Sequence, residues 1–145
     1  MSHAQEDIGA LLRRHLAGGA FQQFLGLELI DHDASLGTVS LLARWRDAFE
    51  RGPGTGQWHG GPMAALIDVA GDFALIAKLG RAIPTIDLRI DYLRPAIETD
   101  LIAKARTLRA GRSIGVVDIE LLDNGGRIVA AGRGSYSTLH KEDEK

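Results

Sequence analysis

The segment from Trp58 to Asp68 contains the residue types most able to do chemistry in this chain. Gly60 and Gly61 have no Cβ atom, so a substrate can approach their backbone closely. They stand at the predicted start of a helix, where the first N–H groups have no partner within the helix and lie at its positive end. Such donors can bind an anion, or a carbonyl oxygen that becomes an anion during a reaction. Asp68 could act beside them as a base or a nucleophile.

The spacing between Gly60 and Asp68 restricts how the two residues could act together. If both lie on one helix, eight residues separate them by roughly 12 Å along its axis. A reacting carbonyl group must lie about 3 Å from both its donor and the attacking group. One helix therefore cannot provide both groups to the same carbonyl. Either the two residues have unrelated roles, or the site is shared between two antiparallel chains.

Hydrophobic spacing predicts three helical segments around these residues. Leucines and an isoleucine at helical spacing, followed by two glycines, indicate an N-terminal helix from about Gln5 to Ala17. Phe21 to Leu25 is predicted as a short helical turn. Residues 60 to about 79 are predicted as a long central helix, whose apolar stripe and small residues allow close packing on a sheet. Gly80 is expected to end it.

Runs rich in β-forming residues predict six strands. Leu27–Asp31 and Gly37–Arg44 should form a hairpin with residues 32–35 as its turn, and residues 45–58 should form a loop. The other strands are predicted at Thr85–Leu93, Asp100–Ala110, Ser113–Leu122 and Arg127–Leu139. This order predicts an α+β fold, in which a mostly antiparallel curved sheet wraps around one long central helix.

Length and composition favour one soluble domain over residues 1–145, with residues 1–20 as an N-terminal helical segment and 140–145 as a frayed tail. The net charge of −2 argues against non-specific nucleic-acid binding. The chain has no cysteine, which excludes disulfides and thiolate chemistry. The first residues do not resemble a signal peptide, and the apolar runs are too short to span a membrane. We therefore expect a cytoplasmic protein.

The sequence His59-Gly-Gly, followed by six residues and Asp68, resembles the hotdog-fold acyl-CoA thioesterases. The phenylacetate-pathway-like branch and the 4-hydroxybenzoyl-CoA thioesterase-like family are the most similar. The segments FLGLEL at residues 24–29 and TIDLRIDYLRP at residues 85–95 strengthen this resemblance, which runs from about Phe21 to Thr138. It implies a hotdog fold and a homodimer, or a dimer of dimers, with the two central helices of a dimer side by side. Gly60 of one subunit would then face Asp68 of the partner subunit.

The resemblance also implies a role for each residue of the motif. Asp68 would be the catalytic carboxylate, either directly or through a water molecule. The Gly60 N–H would polarise a thioester carbonyl, and Thr85 would orient the attacking water. His59 would support the glycine loop, although helix capping or core packing would also explain a histidine there. Substrate-binding candidates are Gly61, Asp72, Arg94 and Arg112.

Asp72 and the two arginines are chosen for specific reasons. Asp72 lies one helical turn after Asp68, so repulsion and desolvation should raise the pKa of one of these two carboxyl groups. Arg94 and Arg112 stand at a strand end and a turn, where they could hold the phosphates of coenzyme A.

Gly111–Gly115 matches a nucleophile-elbow pattern, but the residues after it alternate like a strand, which favours a hairpin turn.

The sequence thus predicts an acyl-CoA thioesterase that needs no metal or redox cofactor, with coenzyme A only as part of the substrate. One alternative is a non-hydrolytic protein that binds acyl-CoA or an apolar ligand on the same fold. Its support is Pro53, which stands where relatives often have a polar Asn or Gln. Hydration of an enoyl thioester is a second alternative. Each main site residue also has a purely structural alternative. Gly60 and Gly61 would only form a tight turn, Asp68 would be a solvated surface residue, and Thr85 would reflect strand propensity. The sequence does not specify the acyl group.

Overall fold

A computed structural model describes residues 7–144 of the chain. Helix α1 spans Ile8–Gly18, α2 spans Ala20–Leu25 and the long α3 spans Gly60–Leu79. The predicted start of α1 at Gln5 falls outside the described residues. Asp7, predicted as helical, is instead the N-cap, because its side chain accepts the Gly9 N–H. The predicted bounds of α3 are confirmed.

Six strands form one antiparallel sheet in the order β1-β2-β4-β5-β6-β3. The strands are β1 Glu28–Asp33, β2 Thr38–Ala43, β3 Thr85–Tyr92, β4 Leu101–Ala110, β5 Ile114–Leu122 and β6 Ile128–Ser137. Short 3-10 helices span Asp47–Phe49 and Lys141–Glu144. β1 and β3 are the two edge strands, so each has one side without a hydrogen-bonded neighbour in the sheet.

The turn of the first hairpin lies two residues later than predicted. Residues 34–37 form it, and β1 continues through Asp33, which pairs with Thr38. The Asp33 carboxylate accepts the N–H groups of Ser35 and Leu36, and Gly37 has a φ of 66°, which favours glycine. These local bonds move the turn, so Gly37 ends the turn and does not begin β2.

The core forms where the inner face of the sheet packs around α3. About half of the α3 residues are buried, including its predicted stripe from Leu66 to Ala77. Two glycines permit this packing: a Cβ at Gly132 would lie 2.7 Å from the Ile67 side chain, and a Cβ at Gly71 would overlap the Tyr136 hydroxyl. The sheet therefore covers most of α3. A stripe with Gly61, Ala65, Asp68 and Asp72 is only partly covered or exposed.

Of the two glycine-containing turns in the second half of the chain, the one at Gly111 is a hairpin turn, as predicted. The Gly111 N–H donates to the Ile114 carbonyl between β4 and β5, so this segment is not a nucleophile elbow. Residues 123–127 connect β5 to β6 in a second hairpin. Among residues 7–144, no helix has both the length and the apolar character needed to cross a membrane.

Candidate active site

The start of α3 leaves one backbone donor without a partner. His59 is the N-cap, and its Nδ1 atom accepts the Gly61 N–H at 2.9 Å. Pro62 has no N–H. Within residues 7–144, no acceptor receives the Gly60 N–H. A ligand atom placed at the positive end of this helix would therefore find the Gly60 N–H available.

Backbone bonds and one aromatic side chain hold Gly60 in place. The His59 N–H donates to the Phe49 carbonyl at 2.7 Å, and the Trp58 N–H donates to the Ala96 carbonyl at 2.9 Å. The Tyr92 hydroxyl donates to the Gly60 carbonyl at 2.7 Å. Sequence reasoning did not single out Tyr92, because only the tertiary structure brings the end of β3 to the start of α3.

Asp68 accepts a hydrogen bond from Thr85, the residue that the resemblance expects to orient the attacking water. The Thr85 hydroxyl donates to Asp68 Oδ1 at 2.7 Å, and both side chains are accessible to solvent. Thr85 lies opposite Tyr136 in the β3–β6 pair, so their side chains share the face of the sheet toward α3. The Tyr136 hydroxyl donates to the Asp68 carbonyl at 3.0 Å. Two adjacent strands thus fix the position of Asp68 through its side chain and its backbone.

Asp72 is in a different environment from Asp68. Its side chain is mostly buried, and no group among residues 7–144 makes a hydrogen bond with its Oδ1 atom. Burial raises the pKa of Asp72 to about 7, the backbone N–H of Ile83 partly offsets this rise, and the negative charge of Asp68 adds to it. The prediction that one carboxyl of the pair has a raised pKa is confirmed. Direct contact between Asp72 and a substrate stays a prediction.

The remaining candidates do not all lie together. Arg94 lines a cavity of about 390 Å³ next to Gly60, together with Tyr92 and Arg51. Arg112 lies in the β4–β5 turn, where its guanidinium is 3.9 Å from Asp143, and does not line this cavity. The phosphate-binding role expected of both arginines stays a prediction. Of the two, Arg94 lies beside Gly60 and Arg112 does not.

A second, apolar cavity of about 220 Å³ also borders the N-terminus of α3. Its walls come from α2 and from the first turns of α3. The lining residues are Phe21, Phe24, Leu25, Gly61, Pro62 and Ala65. Sequence reasoning did not find this cavity, because Phe21 and Phe24 face α3 only once the chain has folded.

Neither Pro53 nor the potential metal ligands form a further site. Pro53 is exposed in the loop before α3 and offers no polar side chain there. Over residues 7–144, no group of three or more His, Asp or Glu side chains could hold a metal ion. The expectation that no metal or redox cofactor is needed stays a prediction.

Comparisons with known proteins show the family of the chain. A family model described as the Thioesterase superfamily matches residues 55–130, a range that includes Gly60, Asp68 and Thr85. The chain belongs to the thioesterase superfamily. The predicted resemblance and the α+β hotdog fold are thereby confirmed.

Three individual proteins illustrate this superfamily membership. The chain is 37% identical to a presumed esterase of Halobacterium salinarum, over 94% of this chain and 96% of that protein. It is 29% identical to the medium/long-chain acyl-CoA thioesterase YigI of Salmonella typhimurium, over 89% and 90% of the two chains. The crystal structure of a presumed thioesterase of Ralstonia eutropha, related to phenylacetic acid degradation, has a TM-score of 0.77 at 29% identity and covers 88% of this chain and 98% of its own.

The raised pKa of Asp72 predicts a pH-dependent effect on stability. The folded state holds this proton more tightly than the unfolded state, whose pKa is near 3.8. Wild-type stability should therefore fall as the pH rises from about 4 to about 7, and the loss should persist above that. Asp72→Asn should raise the free energy of unfolding by about 1–4 kcal/mol at pH 8, with a gain that shrinks toward pH 4. Urea unfolding across this pH range measures the effect.

Asp118→Asn is the contrasting control for this measurement. The Arg133 guanidinium lowers the pKa of Asp118, so this carboxylate stabilises the fold at neutral pH and loses that contribution as the pH falls below about 4. Its substitution should therefore destabilise the fold at pH 8. An Asp72→Asn variant that is less stable than wild type at pH 8 would contradict the prediction.

Proposed function

We propose that this chain hydrolyses acyl-CoA thioesters to a free acid and coenzyme A, at a site shared between two subunits. The observation that carries the proposal is the pairing of an unpartnered Gly60 N–H at the start of α3 with an accessible Asp68 that Thr85 holds on the same helix. Membership of the thioesterase superfamily and similarity to proteins named acyl-CoA thioesterases support the reaction type.

The reaction requires one donor and one base at the thioester carbonyl. The Gly60 N–H of one subunit donates to the carbonyl oxygen, which becomes the oxyanion. Asp68 of the partner subunit takes a proton from a water molecule, whose oxygen attacks the carbonyl carbon. The C–S bond then breaks, and the coenzyme A sulfur leaves and is protonated. Direct attack by Asp68 would instead form an acyl-enzyme anhydride that water hydrolyses.

The exposed edge of the sheet supports a dimer. β3 has no neighbour on one side, and large apolar side chains on or just after it are more than half exposed. These are Ile86, Tyr92, Leu93 and Ile97. An open strand edge next to exposed apolar side chains favours association with a second copy of the chain. Because β3 also carries Thr85 and ends beside Gly60, a dimer formed along this edge would bring two sets of site residues near each other.

The two cavities at the start of α3 suit the two parts of an acyl-CoA. Arg51 and Arg94 line the cavity beside Gly60, where their charges complement the phosphates of coenzyme A. The lining of the smaller cavity is apolar and suits an aliphatic or aromatic acyl group. Gly60 lines the first cavity and Gly61 lines the second, so the thioester itself would bind at these two neighbouring residues.

A non-hydrolytic acyl-CoA binder is the second candidate. Pro53 favours it, because the loop before α3 offers no polar side chain at that position to hold water. Release of coenzyme A above the uncatalysed rate separates a thioesterase from a binder. A hydratase would instead give a hydroxyacyl-CoA product with its thioester intact.

Asp68→Asn tests the base. The amide keeps the size of the carboxylate but can neither accept the proton from water nor attack. For an acyl-CoA that the wild type hydrolyses, the rate of hydrolysis by the variant should therefore be at least about 100-fold lower. Thermal melting should show that the variant remains folded. Near-wild-type turnover by the folded variant would refute a catalytic role for Asp68.

Mixed dimers test whether the site is shared between subunits. Gly60→Pro removes the donor N–H, and the extended backbone of His59, with φ −65° and ψ 143°, is compatible with a following proline. Each variant homodimer, Asp68→Asn or Gly60→Pro, should be inactive. A dimer containing one chain of each should recover activity that approaches half of wild type, because one of its two sites has both intact residues.

Gly60→Ala is the matched control for the mixed-dimer experiment. A Cβ at residue 60 would lie 3.2 Å from the Tyr92 hydroxyl, and alanine introduces this contact while it keeps the N–H. Gly60→Ala should therefore be much more active than Gly60→Pro. Verified mixed dimers that stay inactive would exclude a shared site. A fully active monomer in light scattering would do the same.

Ala65→Phe tests the position of the acyl group. The larger side chain would fill the apolar cavity of about 220 Å³. The value of kcat/KM for octanoyl- to dodecanoyl-CoA should fall at least about tenfold relative to acetyl-CoA, which corresponds to the loss of roughly two buried methylene groups. Ala10→Phe, on the exposed face of α1, should leave this ratio unchanged. An Ala65→Phe variant with an unaltered chain-length profile would place the acyl group elsewhere.

A further inference from the structure

Asp72 is a buried carboxyl group that the proposed reaction does not use. It lies one turn after Asp68 on α3, so the Cβ atoms of the two residues are about 5–6 Å apart. Asp68 is accessible and bonded to Thr85, whereas Asp72 Oδ1 is buried and has no hydrogen-bond partner. A buried carboxylate oxygen without a donor is costly to keep charged. Because Asp72 lies beside Asp68, the proposed base, the charge on Asp72 acts on the group that takes the proton from water.

The groups that face Asp72 from neighbouring elements do not neutralise it. On α3 itself, its charged neighbour is Asp68, which has the same sign. The segment before β3 contributes the backbone N–H of Ile83. β6 contributes the Tyr136 hydroxyl, which is close enough for the charge of Asp72 to raise its pKa but donates to the Asp68 carbonyl instead. Asp72 takes part in none of the ion pairs found among residues 7–144.

We propose that Asp72 is a positioning residue that acts through Asp68, and that loss of its proton switches Asp68 from a weaker to a stronger base. The proposal stands on the pairing of a mostly buried carboxyl, whose Oδ1 atom has no hydrogen-bond partner among residues 7–144, with the accessible carboxylate one turn away. It rests on the proposed thioesterase function. Asp72 needs no contact with substrate for this role. Its effect is transmitted by charge alone.

The ionisation of Asp72 falls within the working pH range of most enzymes. Burial, aided by the charge of Asp68, raises its pKa to about 7. Below that pH, Asp72 is neutral and Asp68 holds the only negative charge of the pair. Above it, both residues are charged and repel each other. The negative charge of Asp68 therefore opposes the ionisation of Asp72.

The sign of the effect follows from where charge moves during the reaction. As Asp68 takes a proton from water, negative charge leaves Asp68 and develops on the thioester oxygen, which is farther from Asp72. A charged Asp72 favours this movement because it raises the proton affinity of Asp68. The rate of hydrolysis should therefore rise with pH through about 7, by about three- to tenfold, because the rate of general-base catalysis increases with the proton affinity of the base.

The pH profile of kcat from pH 5.5 to 9 tests this inference. Asp72→Asn and Asp72→Thr both keep residue 72 neutral, so both should lack the rise near pH 7 and stay at the low plateau. Asp87→Asn removes an exposed carboxylate from β3 close to Thr85 and should retain the rise. Folded Asp72 variants whose pH profile matches that of wild type would overturn the proposal. A uniform fall in kcat with the rise retained would also overturn it, because that result indicates a purely structural role.

Carboxyl ¹³C NMR titration provides a readout that does not depend on turnover. The titration of Asp72 should move to lower pH in Asp68→Asn, because the like charge that opposes its ionisation is gone. An unchanged Asp72 titration would overturn the coupling. If no acyl-CoA is hydrolysed, the proposed function and the catalytic consequence fail together, while a shifted titration would still show that the two carboxyl groups are coupled. If acyl-CoA is hydrolysed but the pH profile of kcat has no rise that depends on Asp72, only this inference fails.

Discussion

The packing of α3 inside the curved sheet is the constraint on which the rest of the structure depends. α3 spans Gly60–Leu79, and the sheet and the N-terminal helices bury most of its apolar side chains. Such close contact requires glycine at Gly71 and Gly132, because a Cβ at either position would meet a neighbouring side chain. Overpacking there would cost about 1–3 kcal/mol. Since α3 is fixed on several sides, the groups at its start and along its open stripe are fixed as well.

Burial along this one helix gives its polar groups different chemical properties. At its start, His59 occupies the Gly61 N–H and leaves the Gly60 N–H free to act as a donor. Midway, Asp68 is accessible and bonded to Thr85. One turn later, Asp72 is mostly buried, and burial raises the pKa of its carboxyl group to about 7. A single element thus carries a free N–H group, an accessible carboxylate and a mostly buried carboxyl group, because the cover over it changes from one turn to the next.

β3 determines which groups meet α3. Its first residue, Thr85, reaches Asp68, and its last residue, Tyr92, reaches the Gly60 carbonyl. The strand is paired only with β6, so its other edge stays open. The strand that positions the proposed base is therefore also the strand available to a second subunit. This arrangement connects the proposed dimer to the proposed chemistry through one element.

The sequence by itself determined most of the helices and strands, and it indicated the residues of the proposed site. Helical spacing and the glycines at both ends defined α3, and the motif from His59 to Asp68 indicated the family and the pair Gly60 and Asp68. Local patterns succeed here because helix periodicity and glycine stops act over a few residues. They failed at the first hairpin, where the side chain of Asp33 moved the turn by two residues.

Only the tertiary structure decided which residues meet. Tyr92 and Tyr136 lie far from Gly60 and Asp68 in sequence, and sheet pairing brings their hydroxyl groups to those two backbone carbonyls. The sequence indicated that one of two neighbouring carboxyl groups would have a raised pKa, but the helical repeat could not distinguish Asp68 from Asp72. The structure distinguishes them because the pKa depends on burial, and burial depends on where the sheet and the segment before β3 cover the helix.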